Sequence, residues 1–495
     1  MHRFSTREAD PFPLAGLGDG SASRALPRVL LIASDTIGER MAGSGIRYWN
    51  LARVLGAQQP VTLATPNATT LDAPSGVTLI SYSGASEDER GTALTRLIEA
   101  HDVIVAQQLP FLYAGAQLLA SKQLVIDLYA PWILEKLEYA RVDPARGEPN
   151  RKDDVTILNR LLELGDFFLC ASERQRDFWL GALAAAGRLE LEHMQADPEL
   201  RNLIDVVAFG LPETRPARTG PGPRALVPGV GQDALVLLWN GGLWNWLDPL
   251  TAIRATALLA RDEPRLRLVF MGTRSPGAQV AEMAMVATAR ELAQELGLLD
   301  SHVFFNDWVD YEQRQNWLLD ADIALSLHVA TVEARYAYRT RLLDNIWCGV
   351  PTVATEGDVL AEIVDAQQIG LTTPPGDAAA VAAAIGRILQ PEVGRAMRAN
   401  LATAAQRFTW ERVSAPLLAY CRAPWQLGVA RGIDAQGNYT RGLEQLYSET
   451  AQYARQLERV LAEKDAALQL ASAPAEPRRR PDLGELFRRG QNRRG

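Results

Sequence analysis

The chain has 495 residues, of which 47% are hydrophobic and 22% charged, a balance typical of a folded globular protein with two or three domains. Its net charge of −8 argues against a dedicated nucleic-acid-binding protein, which would usually carry a basic surface. The sequence contains no apolar run near the roughly 20 residues of a membrane-spanning helix. Its 3 cysteines are far apart and its 5 histidines lack metal-ligand spacing. We therefore expect reduced cysteines, no metal and a cytoplasmic location.

The first half of the chain alternates short apolar strands with helical patterns. Residues 1–27 have the composition of a disordered lead-in, and a continuous apolar strand follows at Arg28–Ala33. Further strands recur at the spacing of strand–helix–strand units, as far as a strand and turn at 206–212. This alternation predicts a doubly wound α/β domain over residues 28–212.

Candidate ligand-facing residues follow two of these strands. Gly43 and Gly45 lie where the first strand turns into a helix, and glycines there let backbone N–H groups approach an anion. A tight turn is the simpler interpretation, and the sequence lacks the third glycine and the acidic residue of a dinucleotide site. Arg47 lies on the same helix, and Asp127 and Tyr129 follow a later strand. Asp127 could face the cleft or cap the next helix, and both interpretations stay open.

A second strand–helix alternation begins after a Pro- and Gly-rich segment at 213–233, which has the composition of a linker. It predicts another α/β domain over residues 234–408. Gly241 and Gly242 follow the first strand of this domain and again permit close backbone approach. Two such domains joined by one linker imply a cleft between them, which is a common ligand position.

The segment 332–353 joins two apolar strands of the second domain through a loop and a helix. Arg339 and Arg341 lie at the start of that helix, where their forked donors can clamp a diphosphate. Asp344 lies about one turn into the helix and can accept a hydrogen bond from a ribose or sugar hydroxyl. Because ligands of open parallel sheets bind at the carboxyl ends of the strands, we place the candidate site here. Ordinary surface ion pairs are the alternative interpretation.

The order of several motifs resembles that of the retaining glycosyltransferases of family four, which have the GT-B fold. The resemblance covers roughly residues 28–423, and its motifs lie at 43–45, 166–172, 209–212, 342–353, 370–377 and 408–411. It implies an α/β fold of two Rossmann-like domains facing a cleft, with a C-terminal helical extension. Residues 28–212 would form the acceptor side and 234–408 the nucleotide-sugar side. A helix at 409–424 would cross back onto the first domain.

The family's activity is transfer of a sugar from a nucleotide-diphosphate sugar to a hydroxyl group, with retention of anomeric configuration and without a cofactor or metal. The resemblance implies a glycan or lipid-linked acceptor and a place in bacterial surface polysaccharide synthesis. Carried onto this sequence, it implies catalytic roles for Arg339, Arg341 and Glu333, donor binding by Gly43, Gly45, Gly241, Gly242, Trp308, His328 and Asp344, and an acceptor side with Arg47, Asp127 and Tyr129. For His328, which ends a strand, a packed or capping role competes with a contact to sugar or phosphate.

This sequence departs from the family pattern at two places. The family usually has two glutamates eight positions apart, whereas Tyr336 occupies the first place here and Asp344 the second. The family's cations after the first strand of the second domain are also missing, so we infer that Arg339 and Arg341 supply the positive charge. Two alternatives therefore stay open, namely a nucleotide-sugar epimerase or hydrolase on the same fold, and a non-catalytic sugar-nucleotide-binding scaffold.

The last segment, 425–495, carries apolar residues at coiled-coil spacing between Leu443 and Ala467. We expect a helix that either folds onto the enzyme or mediates self-association. The arginines from Arg478 to Arg494 predict either a solvated tail or a peripheral contact with anionic lipid at the inner face of the membrane.

Overall fold

The computed structural model describes residues 25–425, apart from 85, 108–113, 115–117, 120, 143 and 275–282, together with residues 460 and 464. The described residues 25–425 belong to one compact unit. A second unit in the carboxyl-terminal region is described only at Val460 and Lys464, which are helical. Most of the predicted lead-in, the predicted coiled coil and the basic tail lie outside the described residues.

The first domain is built on a parallel sheet of seven strands in the order β3-β2-β1-β4-β5-β6-β7. The strands are β1 (Val29–Ile32), β2 (Val61–Thr65), β3 (Val77–Ser81), β4 (Val103–Ala106), β5 (Gln123–Asp127), β6 (Phe167–Cys170) and β7 (Ile204–Val206). The described helices are α1 (Gly43–Gly56), α2 (Glu87–Ala100), α3 (Trp132–Val142), α4 (Pro144–Leu164), α5 (Glu173–Ala185) and α6 (Leu191–Ala196).

The second domain has a parallel sheet of six strands in the order β10-β9-β8-β11-β12-β13. The strands are β8 (Leu235–Trp239), β9 (Leu266–Phe270), β10 (Val303–Phe305), β11 (Ile323–Ser326), β12 (Thr352–Thr355) and β13 (Gly370–Thr373). The described helices are α7 (Pro223–Leu226), α8 (Pro249–Leu259), α9 (Ala284–Glu295), α10 (Arg314–Leu318), α11 (Val332–Tyr336), α12 (Arg341–Cys348), α13 (Val359–Ala366), α14 (Ala378–Ile388) and α15 (Pro391–Ala404), with 3-10 turns at Tyr311–Gln313 and Ala405–Phe408.

Strands such as β1 are continuous apolar runs because both faces of each sheet are covered. All four residues of β1 and all four of β11 are buried, as expected for continuous apolar runs in a parallel sheet. The strand order reverses direction between β1 and β4 in the first sheet and between β8 and β11 in the second. A crevice opens outside the carboxyl ends of parallel strands at such a reversal. The predicted class, two doubly wound α/β domains, is confirmed.

The chain returns to the first domain after the second sheet is complete. The backbone N–H of Trp410 donates to the Leu211 carbonyl at 2.9 Å, and the Trp410 ring lies 4.8 Å from that of Phe209. Further along, Tyr420 stacks on Phe167 at 4.7 Å. Two short helices make this return, α16 (Trp410–Val413) and α17 (Ala415–Arg422).

Candidate active site

A crevice lies between the two domains, at the carboxyl edges of both sheets. Each domain lines the crevice with residues of the loops and helix starts that follow its strands. The first domain contributes Met41, Ala42, Gly43, Ile46, Phe209, Gly210 and Pro212. From the second domain come Asn240, Gly241, Gly242, Trp244, Met271, Gly272, Trp308, Val309, Tyr311, Arg314, Thr340, Arg341 and Asp344, and Trp410 lies at the same place. Of the predicted donor-binding glycines, three are therefore brought to one crevice.

Arg341 is one of the two arginines among the described residues that line this crevice. Its Nη2 donates to the Gly242 carbonyl oxygen at 2.9 Å, and its guanidinium carbon lies 5.2 Å from the centre of the Trp239 ring. Its Nη1 is buried and has no hydrogen-bond partner in the described part of the chain. Burial, and then the nearby charge of Arg339, lower the pKa of Arg341 to about 9. The side chain stays charged at neutral pH and forms no ion pair with a described residue, so the crevice favours an anion here.

The turn after β8 is fastened to the start of α12. Gly241 has a φ of +82°, a left-handed conformation that L side chains rarely adopt. A Cβ at that position would lie 3.8 Å from Nη2 of Arg341. The Asn240 side-chain amide donates to the Arg341 carbonyl at 3.0 Å. The start of α12 therefore lies beside the Gly-Gly turn. The N–H groups of Leu342 and Leu343 there already donate to the Arg339 and Thr340 carbonyl oxygens, at 2.9 and 3.0 Å, so the preference for an anion comes from the Arg341 guanidinium.

Arg314 belongs to the site and was missed in the sequence. Its Nε donates to the Asp344 carboxylate at 3.2 Å, and its guanidinium lies 3.8 Å from the Tyr311 ring centre and 4.9 Å from that of Trp347. The Asp344 side chain keeps 30% of its surface exposed, so it can still accept a hydrogen bond from a ligand. Arg314 lies 30 residues before Asp344 in the chain, with β11 and α11 between them, and no local spacing connects them.

Arg339 does not take the position predicted for it. Its Nη2 donates to the Glu333 carboxylate at 2.6 Å, and both side chains are buried. Neither residue lines the crevice around Arg341. Glu135 lies nearby, on α3 of the first domain. Burial, and then the charge of Glu333, raise the pKa of Glu135 to about 7. The predicted pair of arginines is thus divided, with Arg341 in the crevice and Arg339 in a buried acidic cluster between the domains.

Two predicted donor-binding residues also lie elsewhere. His328 is 2% exposed, with Nε2 3.5 Å from the Asp358 carboxylate, and it borders a separate surface cavity with Arg174. The packed role considered for this histidine describes its surroundings better than a contact in the crevice. A Cβ on Gly45 would lie 2.5 Å from the Thr36 carbonyl oxygen. This glycine therefore permits close packing behind the crevice rather than ligand approach.

The predicted acceptor-side residues form a buried cluster in the first domain. Arg47 donates to the Asp127 carboxylate through Nε at 2.8 Å and to the Ala208 carbonyl oxygen through Nη1 at 3.0 Å. Neither Arg47 nor Asp127 has exposed side-chain surface, so neither can touch a ligand directly in this arrangement. The Arg47 guanidinium lies 4.7 Å from the Tyr129 ring centre, and the Tyr129 hydroxyl approaches Gly43 at the edge of the crevice. Burial raises the pKa of Tyr129.

Among the described residues, neither metal-binding groups, membrane-spanning helices nor cysteines identify the reaction. No group of three His, Cys, Asp or Glu side chains in the described ranges could hold a metal ion. None of the described helices combines the length and apolar character needed to cross a membrane. Cys170, Cys348 and Cys421 are buried free thiols.

Comparison with known proteins assigns the domain that carries Arg341. Residues 234–391 match the family model described as glycosyl transferases group 1. This part of the chain is similar to group 1 glycosyltransferases. Similar curated proteins include D-inositol 3-phosphate glycosyltransferases from Saccharomonospora viridis, 29% identical over 244 residues (48% of this chain and 55% of the relative), and from Streptomyces scabiei, 27% identical over 237 residues (46% and 50%). The chain spans about half the length of the curated relatives it matches.

Solved structures share the two-domain fold of this chain at low sequence identity. Sucrose-phosphate synthase from Thermosynechococcus elongatus has a TM-score of 0.55 and 18% identity over 79% of this chain and 97% of its own. Anabaena HepE in complex with UDP-glucose has a TM-score of 0.55 and 17% identity over 79% and 98%. WaaG, a glycosyltransferase involved in lipopolysaccharide biosynthesis, has a TM-score of 0.52 and 16% identity. The predicted GT-B fold and the resemblance to family four are confirmed.

Proposed function

We propose that this chain is a retaining glycosyltransferase that moves a sugar from a nucleotide-diphosphate sugar to a hydroxyl group. The observation that carries the proposal is Arg341, which lines a crevice between two domains, is bonded to a Gly-Gly turn and has no ion-pair partner among the described residues. The group 1 match of residues 234–391 supports the same activity. The similarity to D-inositol 3-phosphate glycosyltransferases supports it as well.

The chemical demand of this reaction is the negative charge that grows on the diphosphate as the glycosidic bond breaks. Arg341 has a buried Nη1 without a hydrogen-bond partner among the described residues, so it is a donor that needs no rearrangement when the charge develops. Its positive potential favours the departing diphosphate over the intact donor, because the leaving oxygen is more negative after cleavage. Removal of one such donor costs roughly 2.7–4 kcal/mol of barrier in comparable sites.

The rest of the donor follows from the neighbours of Arg341. Asp344, held by Arg314, would accept hydrogen bonds from the ribose, and Trp308 offers an aromatic ring to the base. The catalytic role predicted for Glu333 stays a prediction. We assign the leaving group to Arg341 rather than to both arginines.

The acceptor would enter from the first domain. In this proposal the buried Arg47–Asp127 pair positions Tyr129, and the Tyr129 hydroxyl beside Gly43 meets the acceptor. A glycan or lipid-linked acceptor in bacterial surface polysaccharide synthesis, used at the cytoplasmic side of the membrane, is the setting that we propose. WaaG is described as acting in lipopolysaccharide biosynthesis, and it shares the fold.

A nucleotide panel tests the proposal. UDP, GDP, ADP and their glucose conjugates would be screened by thermal shift, and each stabilising conjugate would be assayed for release of nucleoside diphosphate with and without glycan acceptors. We expect one base to be preferred and release to be faster with an acceptor. Binding without release would favour a non-catalytic scaffold, and release of free sugar or an isomer regardless of acceptor would favour a hydrolase or epimerase.

A further inference from the structure

Part of the crevice floor is made of glycines that touch an indole at one end. A Cβ on Gly272 would lie 2.8 Å from the Trp308 ring, so the ring packs directly on this glycine. The same Cβ position is 3.5 Å from the Gly241 carbonyl oxygen. Trp308 follows β10, Gly272 follows β9 and Gly241 follows β8. Because these strands are neighbours, the three residues run in that order across the edge of the sheet.

The floor continues past the cation to a second indole. The Cβ position of Gly241 is 3.8 Å from the Arg341 guanidinium, and that of Gly242 is 3.4 Å from the Trp244 ring, at its Nε1 edge. Both Trp308 and Trp244 line the crevice. The crevice therefore presents an aromatic ring, a guanidinium in the middle and another aromatic ring, in that order.

Trp244 is braced from behind. Its ring stacks on Trp246 with centroids 5.6 Å apart and an interplanar angle of 6°. Trp246 is 6% exposed, and Tyr139 of the first domain meets its ring edge-on at 5.3 Å. One face of Trp244 is thus covered by a ring that is itself held by the opposite domain. Trp244 is partly exposed, and no hydrogen bond to its Nε1 is found in the described part of the chain.

We propose that Trp244 is the platform for the transferred sugar, and that it selects a neutral pyranose. This inference rests on the proposed function, because a nucleotide sugar has an aromatic base, a diphosphate and a sugar in the same order as the crevice. With the diphosphate at Arg341 and the base at Trp308, the sugar reaches Trp244. The C–H groups on one face of a pyranose carry partial positive charge and pack on the negative face of an aromatic ring.

The charges nearby explain the preference for a neutral sugar. Among the described residues that line the crevice, the cations are Arg314 and Arg341. Arg314 is engaged by Asp344, and Arg341 would be taken by the diphosphate. A carboxylate on the sugar would therefore lie on an indole without a partner, which is unfavourable. The indole occupies the stretch in which the family usually places its diphosphate-binding cations.

The test compares ligands that differ only in the sugar. Dissociation constants would be measured by calorimetry for the preferred nucleoside diphosphate, its glucose conjugate and its glucuronic acid conjugate. The proteins are the full chain, Trp244→Leu, Trp244→Phe and the control Trp425→Phe, whose ring packs on Phe167 and Tyr420 away from the crevice. We expect Trp244→Leu to weaken the glucose conjugate about 3- to 10-fold, the scale of one aromatic contact, and to leave the bare diphosphate unchanged. Trp244→Phe, which keeps a ring, should lose less, and the glucuronic acid conjugate should bind the wild type more weakly than the glucose conjugate.

The outcomes separate this inference from the proposed function. Equal weakening of the diphosphate and the glucose conjugate would mean that Trp244 only maintains the crevice, and it would overturn the inference while leaving the function intact. No weakening of either ligand would overturn it as well. If Trp244→Leu does not fold, Trp244→Phe decides alone, and an unchanged ratio between the two ligands counts against the platform. Failure of the wild type to bind any nucleoside diphosphate would overturn both proposals.

Discussion

Arg341 donates to the carbonyl oxygen of Gly242 at 2.9 Å, and this bond joins two turns that are 99 residues apart in the chain. The turn after β8 lacks a cation of its own. The bond brings one to this turn from the start of α12. The bond uses Nη2, so Nη1 is left buried and unpaired among the described residues. The arrangement therefore costs stability in the unliganded protein, since a desolvated cation lacks a counter-ion.

This cost gives the first prediction. Arg341→Met keeps an unbranched apolar stem and removes the charged guanidinium, so the unliganded variant should melt higher, by about 2–4 °C for each kcal/mol gained in a domain of this size. The same variant should bind nucleoside diphosphate at least ~10-fold more weakly, because hydrogen bonds to charged groups contribute roughly 1.5–3 kcal/mol. Thermal melts with and without nucleotide measure both effects.

Arg335→Met is the matched control, because Arg335 is exposed in the same segment and does not line the crevice. It should change neither the melting temperature of the free protein nor the nucleotide-induced shift. A variant at Arg341 that melts lower and still binds nucleotide would contradict the assignment of the anion site.

Asp344 gives the second prediction, which concerns the ribose. If its carboxylate accepts from a ribose hydroxyl, the wild type should bind a nucleoside diphosphate roughly 10-fold or more tightly than the 2′- or 3′-deoxy form, as expected for a hydrogen bond to a charged group. Asp344→Asn should reduce this preference while retaining affinity for the deoxy form. Dissociation constants for both ligands and both proteins complete the cycle.

Arg314 complicates this experiment, because Asp344→Asn also removes its ionic partner. The melting temperature of each variant separates that effect from ligand binding. Asp262→Asn, at an exposed position remote from the crevice, serves as the control. A ribose preference that is the same in Asp344→Asn as in the wild type would exclude the proposed contact.

The sequence predicted the two sheets well because their strands are continuous apolar runs such as Val29–Ile32, whose periodicity needs no long-range information. It missed β13, because this strand has one glycine, one leucine and two threonines and so lacks a strong apolar signal. It also expected a single crossing helix, whereas α16 and α17 are separated at Ser414.

Side-chain partners were harder to predict than elements. Arg339 and Arg341 are alternate residues at one helix start, and their spacing gives no indication that one would turn to Glu333 and the other to Gly242. Glu135, from the other domain, lies close enough for Glu333 and Arg339 to affect its pKa, and no spacing in the sequence connects it with them. Arg314 was missed for the same reason, since its pairing with Asp344 exists only after α10 and α12 pack together.

Gly43 and Gly45, in the first turn of α1, give a third prediction, because they face different surroundings. Gly43 lines the crevice and leaves space for a methyl group, whose nearest neighbour would be the Tyr129 hydroxyl at 3.6 Å. Gly45 would place the methyl group 2.5 Å from the Thr36 carbonyl oxygen. Gly45→Ala should therefore lower the free energy of unfolding by about 1–3 kcal/mol, as overpacking does. Gly43→Ala should keep the stability of the wild type and alter ligand affinity. Chemical denaturation and calorimetry of this matched pair test the distinction, and equal stability losses would contradict it.

The last prediction concerns pH and the acidic cluster between the domains. Burial, and then the charge of Glu333, raise the pKa of Glu135 to about 7, while Arg339 and Lys136 oppose that rise. In the unfolded chain the carboxyl has an ordinary pKa near 4.5. The folded state therefore holds this proton more tightly, and the associated stability is fully present below about pH 4.5 and is lost as the pH rises through about 7. Glu135→Gln removes the titration, so its melting temperature relative to the wild type should increase between pH 5 and pH 8 and level off above that range. Glu392→Gln, at an exposed position on α15, controls for the loss of a glutamate charge. A constant difference between Glu135→Gln and the wild type from pH 5 to pH 8 would show that Glu135 ionises in the folded protein much as it does in the unfolded chain.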